Sequence, residues 1–129
     1  MIEIINLTPH AVALYSHSDC EEVTQGNFKT LVLKEGAKPK CTYPSSGVAR
    51  ASTVKAEVRN LLLGDLLVPV NATIYGEPEG LPEPVEDRYY IVSAITAQAA
   101  KDRKDLLIVD STVRDSEGRI CGCTAFGQV

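Results

Sequence analysis

The chain has 129 residues, 44% hydrophobic and 23% charged, the proportions of an ordinary globular domain and not of a disordered or fibrous chain. Thirteen basic residues against seventeen acidic ones give a net charge of −4. That argues against a nucleic-acid binder, which needs concentrated basic surface, and no uncharged run approaches the roughly 20 residues that cross a bilayer.

The length is that of one domain over residues 1–129, enough for a single core without staples. The N-terminal residues Met1-Ile2-Glu3-Ile4-Ile5-Asn6 lack the basic and apolar regions of a secretory signal. The expected location is therefore a cytoplasm, with Cys20, Cys41, Cys121 and Cys123 as reduced thiols.

In chain order, residues 2–5 form a short apolar strand and 6–10 a turn, because Pro9 fixes its own φ and restricts Thr8. A strand resumes over 11–15, and the polar run 16–19 turns. Residues 28–33 alternate around Leu31 and Leu33 as another strand. Residues 34–46, with Gly36, Pro39 and Pro44, are expected as loop.

Alternation over 48–58 predicts a strand with Val48, Arg50, Ser52, Val54, Ala56 and Val58 on one face. Residues 61–63 and 66–74 flank Gly64-Asp65, the pattern of a hairpin, and Pro69 places its second strand at an edge or bulge. That edge offers a second copy of the chain a place to pair, so a homo-oligomer is one possible assembly. Residues 76–88 hold three prolines and five acids and are expected as an extended, solvent-facing loop.

Residues 89–92 give the clearest strand. Ser93 then caps the main helix, expected at about 93–102, whose basic end (Lys101, Arg103, Lys104) suits the macrodipole. A strand at 106–109 would complete a parallel crossover, and 113–115 with 120–126 form a terminal hairpin. The predicted class is α+β: β-rich, a mixed or barrel-like sheet with one main helix.

Catalytic patterns are missing. His10 and His17 have none of the contexts of a nucleophile or a zinc hydrolase. His17 and Cys20 with Cys121 and Cys123 are ligand types that zinc accepts, but packed, reduced cysteines account for them better. The acids of 76–88 lack calcium-loop spacing. Neither a metal nor another cofactor is expected, and the protein is not expected to be an enzyme.

The segment Pro44-Ser45-Ser46-Gly47-Val48-Ala49-Arg50 combines hydroxyls, a glycine and an arginine, which suits phosphate. It reads more simply as a turn followed by a strand. Ser93 at a helix start is a second anion-favouring position, besides its ordinary role as a cap. Tyr75 or Tyr90 could stack on a base. The candidate ligand site is thus Ser45, Ser46, Gly47, Arg50, Tyr75, Tyr90 and Ser93.

Several segments in succession carry a resemblance: Asn6-Leu7-Thr8-Pro9-His10, then Pro44-Ser45-Ser46-Gly47 through Ala49-Arg50, then Tyr75-Gly76-Glu77 with Glu79-Gly80-Leu81-Pro82-Glu83-Pro84, then Tyr90-Ile91-Val92-Ser93, and Val113-Arg114-Asp115. Together they resemble a family of small uncharacterised proteins encoded by bacteriophages, prophages and actinobacterial genomes. The chain departs from it by a longer insert around residues 20–40 and by more cysteine. The resemblance implies a phage or mobile-element setting and, if phage-encoded, the host cytoplasm. It transfers no catalytic residue. In that setting the leading expectation is a binding protein that sequesters a nucleotide-derived immune signal of the host. The rivals are a protein–protein inhibitor or accessory factor acting through the acidic proline-rich loop, a small virion component, and a nucleotide-acting enzyme with His10 as general base.

Overall fold

The computed structural model describes residues 1–129, the side chain of Gln25 excepted. Ten strands and one short α-helix follow one another as β1 (Glu3–Asn6), β2 (Val12–Leu14), β3 (Cys20–Gln25), β4 (Phe28–Leu33), β5 (Cys41–Tyr43), β6 (Thr53–Leu63), β7 (Leu66–Tyr75), β8 (Arg88–Ile91), α1 (Ala94–Ala99), β9 (Leu106–Arg114) and β10 (Ile120–Gly127). The β-rich mixed sheet with one helix is as the sequence predicts.

The sheet path runs β1-β8-β9-β10-β2-β5. β1 and β8 pair in parallel, as do β8 and β9. β10 runs antiparallel to β9 and parallel to β2, and β2 is antiparallel to β5. A single parallel bridge, Asn6 to Ser45, then brings the path back to β1, so the sheet is nearly closed into a barrel. The β3–β4 hairpin is attached through Leu31 beside Val113.

Parallel β8 and β9 need a crossover, and α1 supplies it. The Ser93 hydroxyl accepts the Thr96 N–H at 3.2 Å, starting the helix as the sequence implies. It ends sooner than predicted, because Ala100 leaves helical geometry at φ −130°, ψ 45°. The basic residues expected in its last turn lie beyond it, and Arg103 turns to Asp105 instead.

The core gathers Leu7, Ala49, Tyr90, Val92, Ala97, Ala100 and Leu106, with Ile5, Leu81 and Ile108 packed against them. Asn6 latches the closing seam: its Oδ1 accepts the N–H and the hydroxyl of Thr8, and its Nδ2 donates to the carbonyls of His10 and Tyr43. It is 1% exposed, and both ends of its amide are satisfied, as a buried polar group requires.

Three expectations are corrected. The predicted 34–46 loop contains β5, a strand too short to alternate visibly. The strand predicted from residue 48 begins at Thr53, since Arg50 instead makes an isolated bridge with Glu79. The 76–88 segment has no long regular structure but is docked rather than free: Pro82 O accepts from Arg103 and Glu83 O from the Tyr90 hydroxyl. Gly80, at φ +78°, passes so close to Val48 that a Cβ would lie 2.8 Å from its carbonyl oxygen.

β6 and β7 stand apart. They pair only with each other, as a two-stranded sheet outside the barrel path. Among the described residues no helix is long and apolar enough to cross a membrane.

Candidate functional site

Of the sequence-predicted ligand residues only Arg50 and Ser93 come together. Arg50 and Ser93 share an open cleft of 370 Å³ with Thr8, Pro9, Ile95 and Thr96 around a floor of Leu7, Val48 and Ala49. Ser45, Ser46 and Gly47 are exposed in the preceding loop and do not line it. Tyr75 sits at the end of β7, 40% exposed, and does not line it either. Tyr90 is 1% exposed within the core, where no base can reach its ring.

The hydroxyls of Ser45 and Ser93 are also committed. A serine or threonine has one proton to donate. That of Ser45 goes to the Thr8 carbonyl at 2.6 Å. Thr96 Oγ1 donates to the Ala49 carbonyl at 3.3 Å and so accepts from Ser93 Oγ at 3.0 Å, which leaves Ser93 no proton for a phosphate. Both serines brace the closing seam. Arg50 enters no ion pair among the described residues, but on its other side it lines a concavity with Glu77 and Glu79. Those carboxylates weaken the local positive potential.

The remaining candidates also stand apart. No three His, Cys, Asp or Glu side chains among the described residues are grouped as a metal would require. Cys20 and Cys123 are buried, Cys121 is half-buried, and Cys41 is exposed. Burial pushes the thiols of Cys20, Cys121 and Cys123 up, toward the neutral form. Cys121 Sγ donates to the Val113 carbonyl and Cys20 Sγ to that of Ser16. His10 is exposed, and its carbonyl oxygen accepts from Asn6 and Thr8.

The β6–β7 arm is the feature that sequence reasoning undervalued. Its turn is Gly64-Asp65, with Gly64 at φ +64°, and its register pairs Leu63 with Leu66 and Thr53 with Tyr75. Between Glu57 and Arg59 the register shifts: Glu57 faces Asn71 while Arg59 faces Val70. Val58 is therefore an extra residue, a bulge, and it resets the alternation of β6.

Directly paired residues lie on the same side of a sheet. One face of the arm accordingly carries Val54, Ala56, Arg59, Leu61 and Leu63 from β6 with Leu66, Val68, Val70, Ala72 and Ile74 from β7. The other carries Thr53, Lys55, Glu57, Asn60 and Leu62 with Leu67, Pro69, Asn71, Thr73 and Tyr75. Nine of the ten residues on the first face are apolar, and the second is polar except at its Leu62–Leu67 tip and at Pro69 and Tyr75. The apolar face is open: Val54 is 62% exposed, Leu63 60%, Leu66 63% and Ile74 54%. In the sequence the signal lay in β7, whose alternate positions 66, 68, 70, 72 and 74 are all apolar.

No family of known proteins, no curated protein and no solved structure matches this chain.

Proposed function

We propose that the protein is a non-catalytic binding protein that works by protein–protein contact, and that the apolar face of the β6–β7 arm is its contact surface. One observation carries this reading: a ribbon apolar along one side except at Arg59 and mostly polar along the other, with Val54, Leu63, Leu66 and Ile74 of the apolar side more than half exposed. A two-stranded ribbon is marginal in water without further packing, and a continuous open hydrocarbon patch is what protein-contact sites present. In the phage setting that the resemblance implies, such a protein acts in the host cytoplasm as an inhibitor or accessory factor, or assembles into the particle. The contact element is the arm and not the proline-rich loop, because that loop is tied down by Arg103 and Tyr90.

Photo-crosslinking in cells tests it. A photoreactive residue at Leu63, on the apolar face, is expected to form adducts with protein, and one at Thr73, on the polar face, is not. Equal or absent adducts at the two positions would count against the reading.

The second reading keeps a small anionic ligand, and its support is the Arg50 cleft with its apolar floor and uncommitted guanidinium. A nucleotide-derived signal fits there with phosphate on Arg50, and Glu77→Gln is then expected to tighten binding by removing a nearby negative charge. Titration calorimetry against cyclic dinucleotides and cyclic ADP-ribose derivatives checks this. No heat across the panel removes it.

A further inference from the structure

We propose that the occupant of the arm's apolar face is the same face of a second copy, giving a twofold dimer in which two ribbons stack. The inference rests on the reading of the arm as a protein-contact surface and names its partner.

Both edges of the ribbon discourage strand addition. On β7 the edge is interrupted by Pro69, which has no N–H to donate, and on β6 it is kinked by the bulge at Val58. The unsatisfied surface is the face, so the partner must cover hydrocarbon and not extend the sheet. Arg59 is the single charge on that face. It stands on an edge strand, from which its guanidinium reaches water while its methylenes lie along the interface.

The area suits a dimer. On this face Val54, Leu61, Leu63, Leu66 and Ile74 are each 41–63% exposed. At roughly 60–120 Å² per aliphatic side chain, this leaves on the order of 300 Å² of open hydrocarbon per arm. Two stacked faces remove about 600 Å², and since just over half of an interface is apolar, the whole contact is roughly 1,000 Å², the lower limit of a specific interface. An identical apolar face is self-complementary under twofold symmetry. It is also the one cover present wherever the chain itself is made, as an element this marginal alone requires.

Sedimentation of the purified full chain across a concentration series reads the outcome. A mass rising toward twice 13.9 kDa is expected, with dissociation on dilution. The triple substitution Val54→Thr, Leu61→Thr and Ile74→Thr keeps β-branched residues in the strands and is expected to weaken the dimer at least tenfold. Lys55→Thr with Glu57→Thr, on the polar face, is expected to leave it unchanged. Should the triple variant fail to fold, amide exchange of the wild-type arm decides: it must slow as concentration rises. A monomer at every concentration overturns the proposal, as does a dimer indifferent to the triple substitution. If the chain stays monomeric while Leu63 still crosslinks to a foreign protein in cells, self-pairing fails and the protein-contact reading survives. If the monomer instead binds lipid vesicles through the arm and Leu63 forms no protein adduct, both fail.

Discussion

Arg103 donates through Nε and Nη2 to the carboxylate of Asp105 at 2.8 and 2.7 Å, and Nη2 also reaches the Pro82 carbonyl at 2.9 Å. One guanidinium thereby ties the proline-rich segment to the connection entering β9. The hydrogen bond from Arg103 holds the Asp105 carboxyl below its usual range. A depressed folded-state pKa adds stability above the unfolded value and loses it as pH falls through the folded one. The pair is mostly buried, with side chains 21% and 15% exposed. Asp105→Asn is therefore expected to cost about 1–2 kcal/mol near neutral pH, and wild type and variant should converge in acid, once pH has fallen through the carboxyl's depressed folded-state value. Urea unfolding at neutral and acid pH checks both parts.

Gly80 makes a different demand on the same segment, combining a positive φ with no room for a Cβ. Gly118 has a similar φ of +83° but open space around it. Alanine at Gly118 should cost about 1 kcal/mol, and at Gly80 a further 1–2 kcal/mol for the overlap. Equal losses in thermal unfolding would show that backbone conformation alone sets the requirement. Among the cysteines, exposed Cys41 should alkylate first in native protein, and buried Cys20 and Cys123 only on unfolding. Peptide mapping after a timed iodoacetamide pulse reads the order.

At the scale of the element, the bulge at Val58 decides which residues share a face. Alternation along β6 alone puts Val54, Ala56 and Val58 on one side and Leu61 and Leu63 on the other. The register places Val54, Ala56, Leu61 and Leu63 together. Deleting Val58 is expected to preserve the hairpin's strand content by circular dichroism and to leave a regular ladder in which Leu61 and Leu63 still face Val68 and Leu66. The dimer should then persist. Its loss would mean that the bulge itself, and not the shared facing of these residues, makes the contact surface.

The same bulge marks the limit of what sequence could tell. The Gly64-Asp65 hairpin, the β8–α1–β9 crossover and the terminal hairpin were legible because turn residues and periodicity are local signals. β5 and the barrel closure were not, because three-residue strands and a single Asn6–Ser45 bridge depend on distant partners. The bulge leaves no mark in β6, although the uninterrupted apolar alternation of β7 pointed to an apolar face. The serines at 45 and 93 looked like phosphate contacts because residue type reveals donors, whereas only the folded seam reveals that their protons are already given.

At the scale of the whole molecule, residues from several of the segments that carry the resemblance gather near the Asn6–Ser45 seam. Asn6 latches it, Ser45 and Ser93 brace it, Gly80 passes close against Val48, and Tyr90 fills the core beneath. These residues serve the closing of the barrel, and the β6–β7 arm lies outside that path. The central claim is that the arm's apolar face is covered by another copy. The chain contains no tryptophan, so one introduced by Leu63→Trp reports alone. Its emission is predicted to shift to shorter wavelength as the protein is concentrated through its dimerisation range. The emission of a water-exposed indole at every concentration would contradict the account.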